Sequence, residues 1–309
     1  MIRRMLILIF ISFSLAACAG QQIVSAEVKH TVIPEAPSPG DPVTIAINIA
    51  ATEALLFIND KQVTKAAFFP IPAERRQPTF MAAILTVPNT TEAKEAVIKI
   101  VNESGEICEI SINITPKEFR TGTISITPSL SNLLTTPDPQ RRIESERLWE
   151  ILNTTGNKVY HTDKFVLPVK STRRTSPFGA RRINQYPDGR RTTEIHGGID
   201  FGIPTGTEVY ACGAGKVILS RHRIISGYSV IIEHAPGIYS LYYHLDSVIA
   251  EENAIIKAGE LIGLSGSTGF STGPHLHWEL RINSEITDPD VFVNRPLIDK
   301  DLIIRRIFN

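Results

Sequence analysis

Cysteine is scarce in this chain of 309 residues, which contains only three, at positions 18, 108 and 212. No C-x2-C pair is present, and this excludes the structural zinc sites that are built from such pairs. Cys108 shares a period-2 pattern with three isoleucines, and Cys212 lies in another strand-like run. We therefore predict that both are buried free thiols. A disulfide between them is the alternative in an oxidising compartment.

The chain also lacks net charge and long apolar runs. Lysine and arginine together number 32, as do aspartate and glutamate, so nothing in the charge balance favours a nucleic-acid partner. The apolar run at residues 5–15 is shorter than the about 20 residues that span a bilayer. It follows two arginines and has the length of a signal-peptide core, so residues 1–17 are predicted to be a signal peptide.

The string L-A-A-C at residues 15–18 resembles a bacterial lipobox, where cleavage leaves the cysteine as a lipidated first residue. We predict an exported lipoprotein of the bacterial cell envelope, anchored to a membrane through Cys18 and facing outward or into a periplasm. Residues 18–22 would be the tether. Plain cleavage after Ala17, which leaves Cys18 unmodified, is the alternative.

The pattern of the remaining chain predicts a mainly β protein with two domains. Residues 23–117 contain short alternating strands with Pro/Gly turns, which favours a β-sandwich-like domain. Residues 118–159 form a predicted linker with a helix, for which Asp138 is the N-cap and Pro139 the first residue. Residues 160–295 are again strand-rich and are predicted to be the second domain, while the tail at 296–309 stays unassigned.

Two short motifs hold candidates for a metal site, H-G-G-I-D at 196–200 and G-P-H-L-H-W-E at 273–279. Their candidate side chains are His196, Asp200, His275 and His277. Three of these are enough for a catalytic zinc ion, which takes three protein ligands and keeps one position open. The fourth would be left for proton transfer or charge stabilisation.

The spacing of these residues sets conditions on the fold. An extended strand would hold His196 and Asp200 about 13 Å apart, so the chain must bend, and the two glycines between them permit this. His275 and His277 would share one face of a strand. A structural His–Asp pair and a surface histidine pair are the alternatives. The turn-rich segment at 266–274 favours a site, because such loops on rigid strands often carry function.

Over residues 160–295 the chain resembles the lysostaphin/LytM-type zinc metallopeptidase family. The resemblance is carried by S-P-F-G-A-R-R at 176–182, H-G-G-I-D-F at 196–201, L-Y-Y-H-L at 241–245 and G-S-T-G-F-S-T-G-P-H-L-H-W-E at 266–279. It implies one zinc ion per chain, with His196, Asp200 and His277 as ligands. It also implies two catalytic histidines that are not ligands, His244 and His275. Which of these is the base or acid and which stabilises the oxyanion stays open.

The family resemblance implies a zinc metalloendopeptidase that hydrolyses the peptide cross-links of bacterial peptidoglycan. The alternatives are a non-catalytic peptidoglycan-binding regulator of another cell-wall hydrolase and a peptidoglycan carboxypeptidase. Residues 183–193 are expected to form a cleft wall with Tyr186 and Arg190 as candidate substrate contacts, although an ordinary solvated loop fits the pattern equally well. The N-terminal domain would position or inhibit the enzyme, or bind an envelope protein.

Overall fold

The computed structural model describes residues 27–72 and 78–309. The predicted signal peptide and the predicted lipidation site Cys18 lie outside the described residues. Among the helices of the described part, none combines the length and the apolar character that crossing a membrane needs. The described chain is mainly β, as predicted.

The described residues of the N-terminal part form eight strands. In chain order these are β1 (His30–Ile33), β2 (Pro42–Ile47), β3 (Glu53–Ile58), β4 (Lys61–Ala67), β5 (Phe69–Ile71), β6 (Phe80–Thr86), β7 (Glu95–Asn102) and β8 (Gly105–Asn113). They form two antiparallel sheets with the orders β1-β2-β6-β5 and β4-β3-β7-β8. Alternate residues of both sheets, such as Ile45 of β2, Leu56 of β3 and Ile98 of β7, share one fully buried cluster. This is the packing expected of a β-sandwich.

The first of these sheets is covered on its other face as well. Ala46 of β2 and Ile84 of β6 belong to the apolar core of the C-terminal part. The hydroxyl groups of Thr86 and Thr287 are 2.7 Å apart, and Asn283 Nδ2 donates to the Ile84 carbonyl at 3.0 Å. Every residue of β2 is therefore buried, and the two parts of the chain share an extended apolar core.

Between the two parts lie β9 (Thr121–Ser125), α1 (Pro128–Thr135) and α2 (Pro139–Asn153). Helix α2 begins as predicted, with Pro139 as its first residue and the Asp138 side chain accepting from Gln140 N at 2.8 Å. Neither β9 nor α1 was predicted from the sequence.

The C-terminal part contains twelve strands and two helices. These are β10 (Arg174–Ser176), β11 (Arg181–Gln185), β12 (Arg191–Ile195), β13 (Gly198–Phe201), β14 (Glu208–Tyr210), β15 (Gly215–Arg223), β16 (Gly227–Ala235), β17 (Ile238–Val248), β18 (Ile255–Ile256), β19 (Leu261–Ser265), β20 (Leu276–Ile282), β21 (Glu285–Thr287), α3 (Asp290–Asn294) and α4 (Lys300–Phe308). Ten of the strands form one antiparallel sheet with the main path β10-β13-β20-β17-β16-β15-β18.

Two smaller features complete the fold. The hairpin of β11 and β12 forms a separate sheet with β9, in the order β12-β11-β9, and β9 runs parallel to β11. The tail at 296–309, unassigned from sequence, contains α4, whose residues Ile303 and Ile307 are buried in the shared core. Both thiols are free, as predicted, and Cys212 is buried whereas Cys108 is only half-buried.

Candidate active site

Three neighbouring strands bring the distant motifs together. The register of β13 and β20 places Asp200 opposite His277, and β17 on the other side of β20 places Tyr243 opposite His277. Leu276 is fully buried in the core, as expected from the alternation of side chains along a strand. The sheet therefore fixes the relative positions of side chains that are up to about 80 residues apart, as the 77-residue separation of Asp200 and His277 shows.

His196 lies in the connection between β12 and β13, where the chain bends as predicted. Its Nε2 is 3.0 Å from Asp200 Oδ1. The glycines act differently from the expectation, because neither Gly197 nor Gly198 has a positive φ. At Gly198 the reason for glycine is close approach: a Cβ there would lie 2.3 Å from the Trp278 carbonyl oxygen of the neighbouring β20.

Three potential metal-binding atoms converge at this point, namely His196 Nε2, Asp200 Oδ1 and His277 Nδ1. His196 Nε2 is 3.0 Å from each of the other two, which are 2.9 Å from one another. All three residues are buried. Within residues 27–72 and 78–309, no other group of three or more histidine, cysteine or acidic side chains is close enough together to hold a metal ion.

The second nitrogen of each histidine fixes which atom faces the cluster. His196 Nδ1 is 2.8 Å from the Pro177 carbonyl, which can only accept, so Nδ1 carries the proton and Nε2 presents a lone pair. His277 Nε2 lies 3.0 Å from Glu279 Oε2, so Nε2–H donates to the carboxylate and Nδ1 presents a lone pair. Two lone pairs and a carboxylate oxygen at about 3 Å repel one another unless a cation lies among them. Two imidazoles, each oriented by a further acceptor, and one carboxylate fit zinc.

The charges around the cluster favour a cation in the same place. Burial acts to lower the pKa of His277, but the carboxylates of Asp200 and Glu279 raise that pKa to about 9. Without a metal ion a proton on Nδ1 therefore takes the place of the cation, and a metal ion would replace that proton. Burial acts to raise the pKa of Asp200, yet its close contacts with the His196 and His277 rings hold that pKa well below its usual value. Arg182 pairs with the second carboxylate oxygen of Asp200, so this carboxylate is oriented on both sides.

His244 and His275 line the same pocket as the three converging residues. His275 Nε2 is 3.8 Å from Asp200 Oδ1, and the ring centroids of His244 and His275 are 4.7 Å apart. Each ring donates Nδ1–H to a backbone carbonyl at 2.8 Å, His244 to Thr268 and His275 to Gly273. In their neutral forms, both rings therefore present Nε2 as a proton acceptor.

His244 is held in an unusual backbone conformation. Its φ is +61°, a left-handed geometry that costs a non-glycine residue about 1–3 kcal/mol and is common at functional sites. Its backbone N–H donates to the Ser226 carbonyl at 2.8 Å, which supports this conformation. Burial, together with the nearby His275 and His277, lowers the pKa of His244 to about 3, so the ring is neutral near pH 7.

The pocket over the cluster has a volume of about 350 Å³ and adjoins a groove of about 480 Å³. Both are in the size range of ligand sites. The predicted contacts Tyr186 and Arg190 line neither of them; they lie in the turn of the β11–β12 hairpin, where the guanidinium stacks 4.2 Å from the Tyr186 ring centre. Their role in substrate binding stays a prediction. Arg182 and Asn184 of the same hairpin do line the pocket.

Glu279 and Arg182 are site residues to which the sequence analysis assigned no role. The available signal for Glu279 was the period of two that paired His275 with His277, since the next residue on that face of β20 is Glu279. Arg182 lies on β11, which belongs to a different sheet from the strand that holds Asp200. Its contact with Asp200 depends on how the two sheets meet, and no local pattern reports this.

The fold and the site define a class: a β-sheet domain with two histidines and one aspartate arranged as in a metallopeptidase. Residues 194–289 match the sequence profile of peptidase family M23. The chain therefore carries a peptidase M23 domain, of the LytM/lysostaphin family.

Curated relatives match this same region. The chain is 42% identical over 122 residues to the DD-carboxypeptidase/endopeptidase Mpg of Neisseria meningitidis, a match that covers 40% of this chain and 27% of that protein. It is 40% identical over 114 residues to the peptidoglycan DD-endopeptidase ShyA of Vibrio cholerae, covering 37% of this chain and 26% of that protein. The chain thus spans about a quarter of the length of these relatives.

A solved structure extends the likeness in fold. A crystal structure from Pseudomonas aeruginosa, described as that of a peptidase M23, matches this chain with a TM-score of 0.58 and 23% identity. The match covers 83% of this chain and 95% of that one. The shared fold therefore reaches beyond the M23 domain into the N-terminal sheets.

Proposed function

We propose that this protein is a zinc-dependent endopeptidase that hydrolyses the peptide cross-links of bacterial peptidoglycan. The observation that carries the proposal is the convergence of His196 Nε2, Asp200 Oδ1 and His277 Nδ1 within 3.0 Å, with His244 and His275 in the same pocket. Two relatives named as peptidoglycan DD-endopeptidases support the substrate class.

In this proposal His196, Asp200 and His277 hold one zinc ion. When bound, zinc supplies Lewis-acid polarisation of a carbonyl and lowers the pKa of water beside it to about 7. Glu279 orients His277 and Arg182 orients Asp200, so each fixes a ligand in the direction that the metal requires. No glutamate of an H-E-x-x-H motif is present as base, and the two remaining histidines have to move the proton.

His275 is the better placed base. Its Nε2 is the acceptor nitrogen and lies 3.8 Å from Asp200 Oδ1, beside the ligand atoms. It can accept the proton of the attacking water and return it to the leaving amine. His244 has the same tautomer, because its Nδ1–H is held by Thr268. It can therefore stabilise an oxyanion by hydrogen bonding only after its Nε2 has taken a proton.

The location and the domain roles belong to the same proposal. We infer an exported, cell-envelope protein because peptidoglycan lies in the envelope, and lipid anchoring through Cys18 follows from the L-A-A-C string at 15–18. We assign catalysis to residues 160–295 and the placing of the catalytic domain, or a contact with an envelope protein, to residues 23–117. Residues 118–159 connect these two domains.

A peptidoglycan carboxypeptidase is the second candidate, and it is favoured by the name of the Neisseria relative, which includes both activities. The same site would serve both reactions, so the products distinguish them: an endopeptidase converts cross-linked dimers to monomers, whereas a carboxypeptidase shortens uncross-linked stems. A non-catalytic regulator has no need for His244 and His275 beside a complete ligand set.

The deciding experiment is a digest of purified peptidoglycan by the protein from residue 19 onward, with and without a zinc chelator. Muropeptides are then identified by mass spectrometry. We expect loss of cross-linked dimers that the chelator abolishes, and the new termini identify the bond. A zinc-loaded protein that leaves every muropeptide unchanged would contradict the proposal. The zinc-loaded His275→Ala variant is the matched control.

A further inference from the structure

Strand β9 is an edge strand near the three converging side chains of His196, Asp200 and His277. It pairs with β11 in the order β12-β11-β9, and within the described residues no strand pairs with its second edge. The groove of about 480 Å³ is lined by residues 120–124 of this segment and by residues 272–275, and Asp200 also lines it.

The hydrogen bonds to β11 determine which backbone groups of β9 remain unused. Arg181 N donates to the Arg120 carbonyl at 2.8 Å before the strand, and Ile126 N donates to the Gln185 carbonyl at 2.9 Å after it. In a parallel pair, the residues that turn both N–H and C=O to the partner alternate with residues that turn both away.

The alternation therefore divides β9 into two sets of residues. Gly122 and Ile124 bond to β11, as Arg120 and Ile126 do on either side of the strand. Thr121, Thr123 and Ser125 direct their backbone N–H and C=O groups to the second edge. We call this second edge, formed by Thr121, Thr123 and Ser125, the free edge of β9.

The free edge of β9 lacks two of the usual protections of an edge strand. Natural edge strands are blunted by charged side chains or proline, whereas β9 reads T-G-T-I-S and contains neither. Gly122 lines the groove, and a Cβ there would meet nothing within 4 Å. Its φ is not in the left-handed region, so neither packing nor backbone geometry requires glycine, although glycine weakens a strand. The missing side chain keeps the groove open.

We propose that the free edge of β9 binds the peptide of the substrate as an added strand and guides its scissile bond to the three converging side chains of His196, Asp200 and His277. This inference rests on the proposed function and deepens it. An extended peptide is the occupant because its alternating N–H and C=O groups match those of a strand edge. The groove and the pocket over the cluster share Ile124, Arg182, Asp200, Thr272 and His275, so a peptide paired with β9 continues directly to the reacting groups.

A proline substitution tests the free edge without breaking the sheet. Thr123→Pro removes one outward N–H, and proline is tolerated on an edge strand at such a position. Thr123→Val keeps the N–H and the side-chain shape and is the matched control. One lost hydrogen bond of about 1 kcal/mol predicts that KM for a soluble cross-linked muropeptide dimer rises about 3- to 10-fold in Thr123→Pro. We expect the KM of Thr123→Pro to exceed that of Thr123→Val by this factor. Equal KM values for the two variants, or a lower KM with proline, would overturn the proposal.

Amide hydrogen exchange provides a second test that needs no turnover and no proline. In the zinc-loaded His275→Ala protein, added dimer should slow exchange of the Thr121 and Thr123 amides and leave those of Gly122 and Ile124 as they were. Protection of all four amides alike, or of none, contradicts strand addition. If wild-type protein does not cleave the dimer, the proposed function fails, whereas normal cleavage without alternating protection removes only the role of β9.

Discussion

Two buried histidine groups lie in the large C-terminal sheet, and only one of them is suited to a metal. In the first, His234 Nδ1 donates to the Ala214 carbonyl at 2.8 Å, and its Nε2 meets the Ser240 hydroxyl at 2.7 Å. Cys212 Sγ is 3.7 Å away, and burial raises the pKa of this thiol to about 12. Each nitrogen of His234 thus has a neutral partner, and no unprotonated atoms converge.

The second group lies around His277 and includes the carboxylates of Asp200 and Glu279. It differs from the first group in these carboxylates rather than in its burial. His234 and His277 are both buried, yet burial lowers the pKa of His234 to about 3 while Asp200 and Glu279 raise that of His277 to about 9. Carboxylates therefore favour positive charge at one buried histidine, whereas neutral partners keep the other uncharged. A metal site is therefore identified by convergent lone pairs beside negative charge, and not by the number of histidines.

The largest expected effect is loss of zinc and of hydrolysis, which should follow a change in the second histidine group but not in the first. His277→Ala removes one of the three proposed ligands, so we expect loss of stoichiometric zinc and hydrolysis below detection. His234→Gln, the matched variant in the other group, should retain zinc. Metal analysis by mass spectrometry, with muropeptide release measured on the same samples, checks both. Full zinc content in His277→Ala would show that the ligand set is assigned wrongly.

The next largest effect is a fall in turnover without loss of zinc, which distinguishes proton transfer from metal binding in the second group. His275→Ala should keep zinc, because His275 is not among the three converging residues. Its turnover should fall by about 10²- to 10⁴-fold, the usual contribution of a general base. The kcat of the zinc-loaded variant is the measurement, and full turnover would remove the assigned role.

A smaller effect is expected at the carboxylate behind His277. Glu279→Gln keeps the shape but removes the negative charge that orients and polarises His277. We expect zinc affinity or activity to fall by about 10- to 100-fold, as measured by competition with a chelator of known affinity. Glu252→Gln is the control, because Glu252 pairs with Arg221 away from the site. Equal zinc affinity in both variants would indicate that the charge of Glu279 is unimportant.

The smallest effect concerns pH and the first group. The folded-state pKa of His234 is about 3, below the usual 6.5, because burial disfavours the charged ring. The stability that this neutral ring contributes is complete above pH 6.5 and is lost as the pH falls from 6.5 towards 3, since the unfolded chain then binds a proton that the folded chain does not.

The contribution of His234 at pH 5 is therefore about 2 kcal/mol less than at pH 7.5. His234→Gln should reduce the difference in unfolding free energy between these two pH values by that amount, as measured by urea denaturation. His30→Gln is the matched control because His30 is exposed. An unchanged pH dependence in His234→Gln would show that this ring is not kept neutral by the fold.

The sequence predicted those parts of the molecule that depend on local periodicity. The main strands of the large sheet, the start of α2 at Asp138 and the bend at His196 all follow from spacing and from turn residues. The alternation around Leu276 also predicted that His275 and His277 share a face. The motifs alone made His196, Asp200, His275 and His277 candidates for one metal site, whereas the choice of His196, Asp200 and His277 as ligands followed from the family resemblance.

Features that depend on distant partners could not be predicted. Strand β9 holds a single apolar residue in T-G-T-I-S, and it forms because β11, about 60 residues later, pairs with it in parallel. The second buried face of β2 was equally hidden, because Thr44 and Ala46 are small or polar and resemble the solvent side of a half-buried strand. Their burial depends on the C-terminal part, which no period-2 pattern describes.

The sheet of β1, β2, β6 and β5, which is apolar on both faces, has a consequence for inheritance. Ala46 and Ile84 meet the peptidase part, so a gene that encoded this part alone would expose a surface that now excludes water. Recombination could therefore separate the two parts only if several core residues were exchanged for polar ones at the same time. The two parts are expected to pass together from one lineage to another.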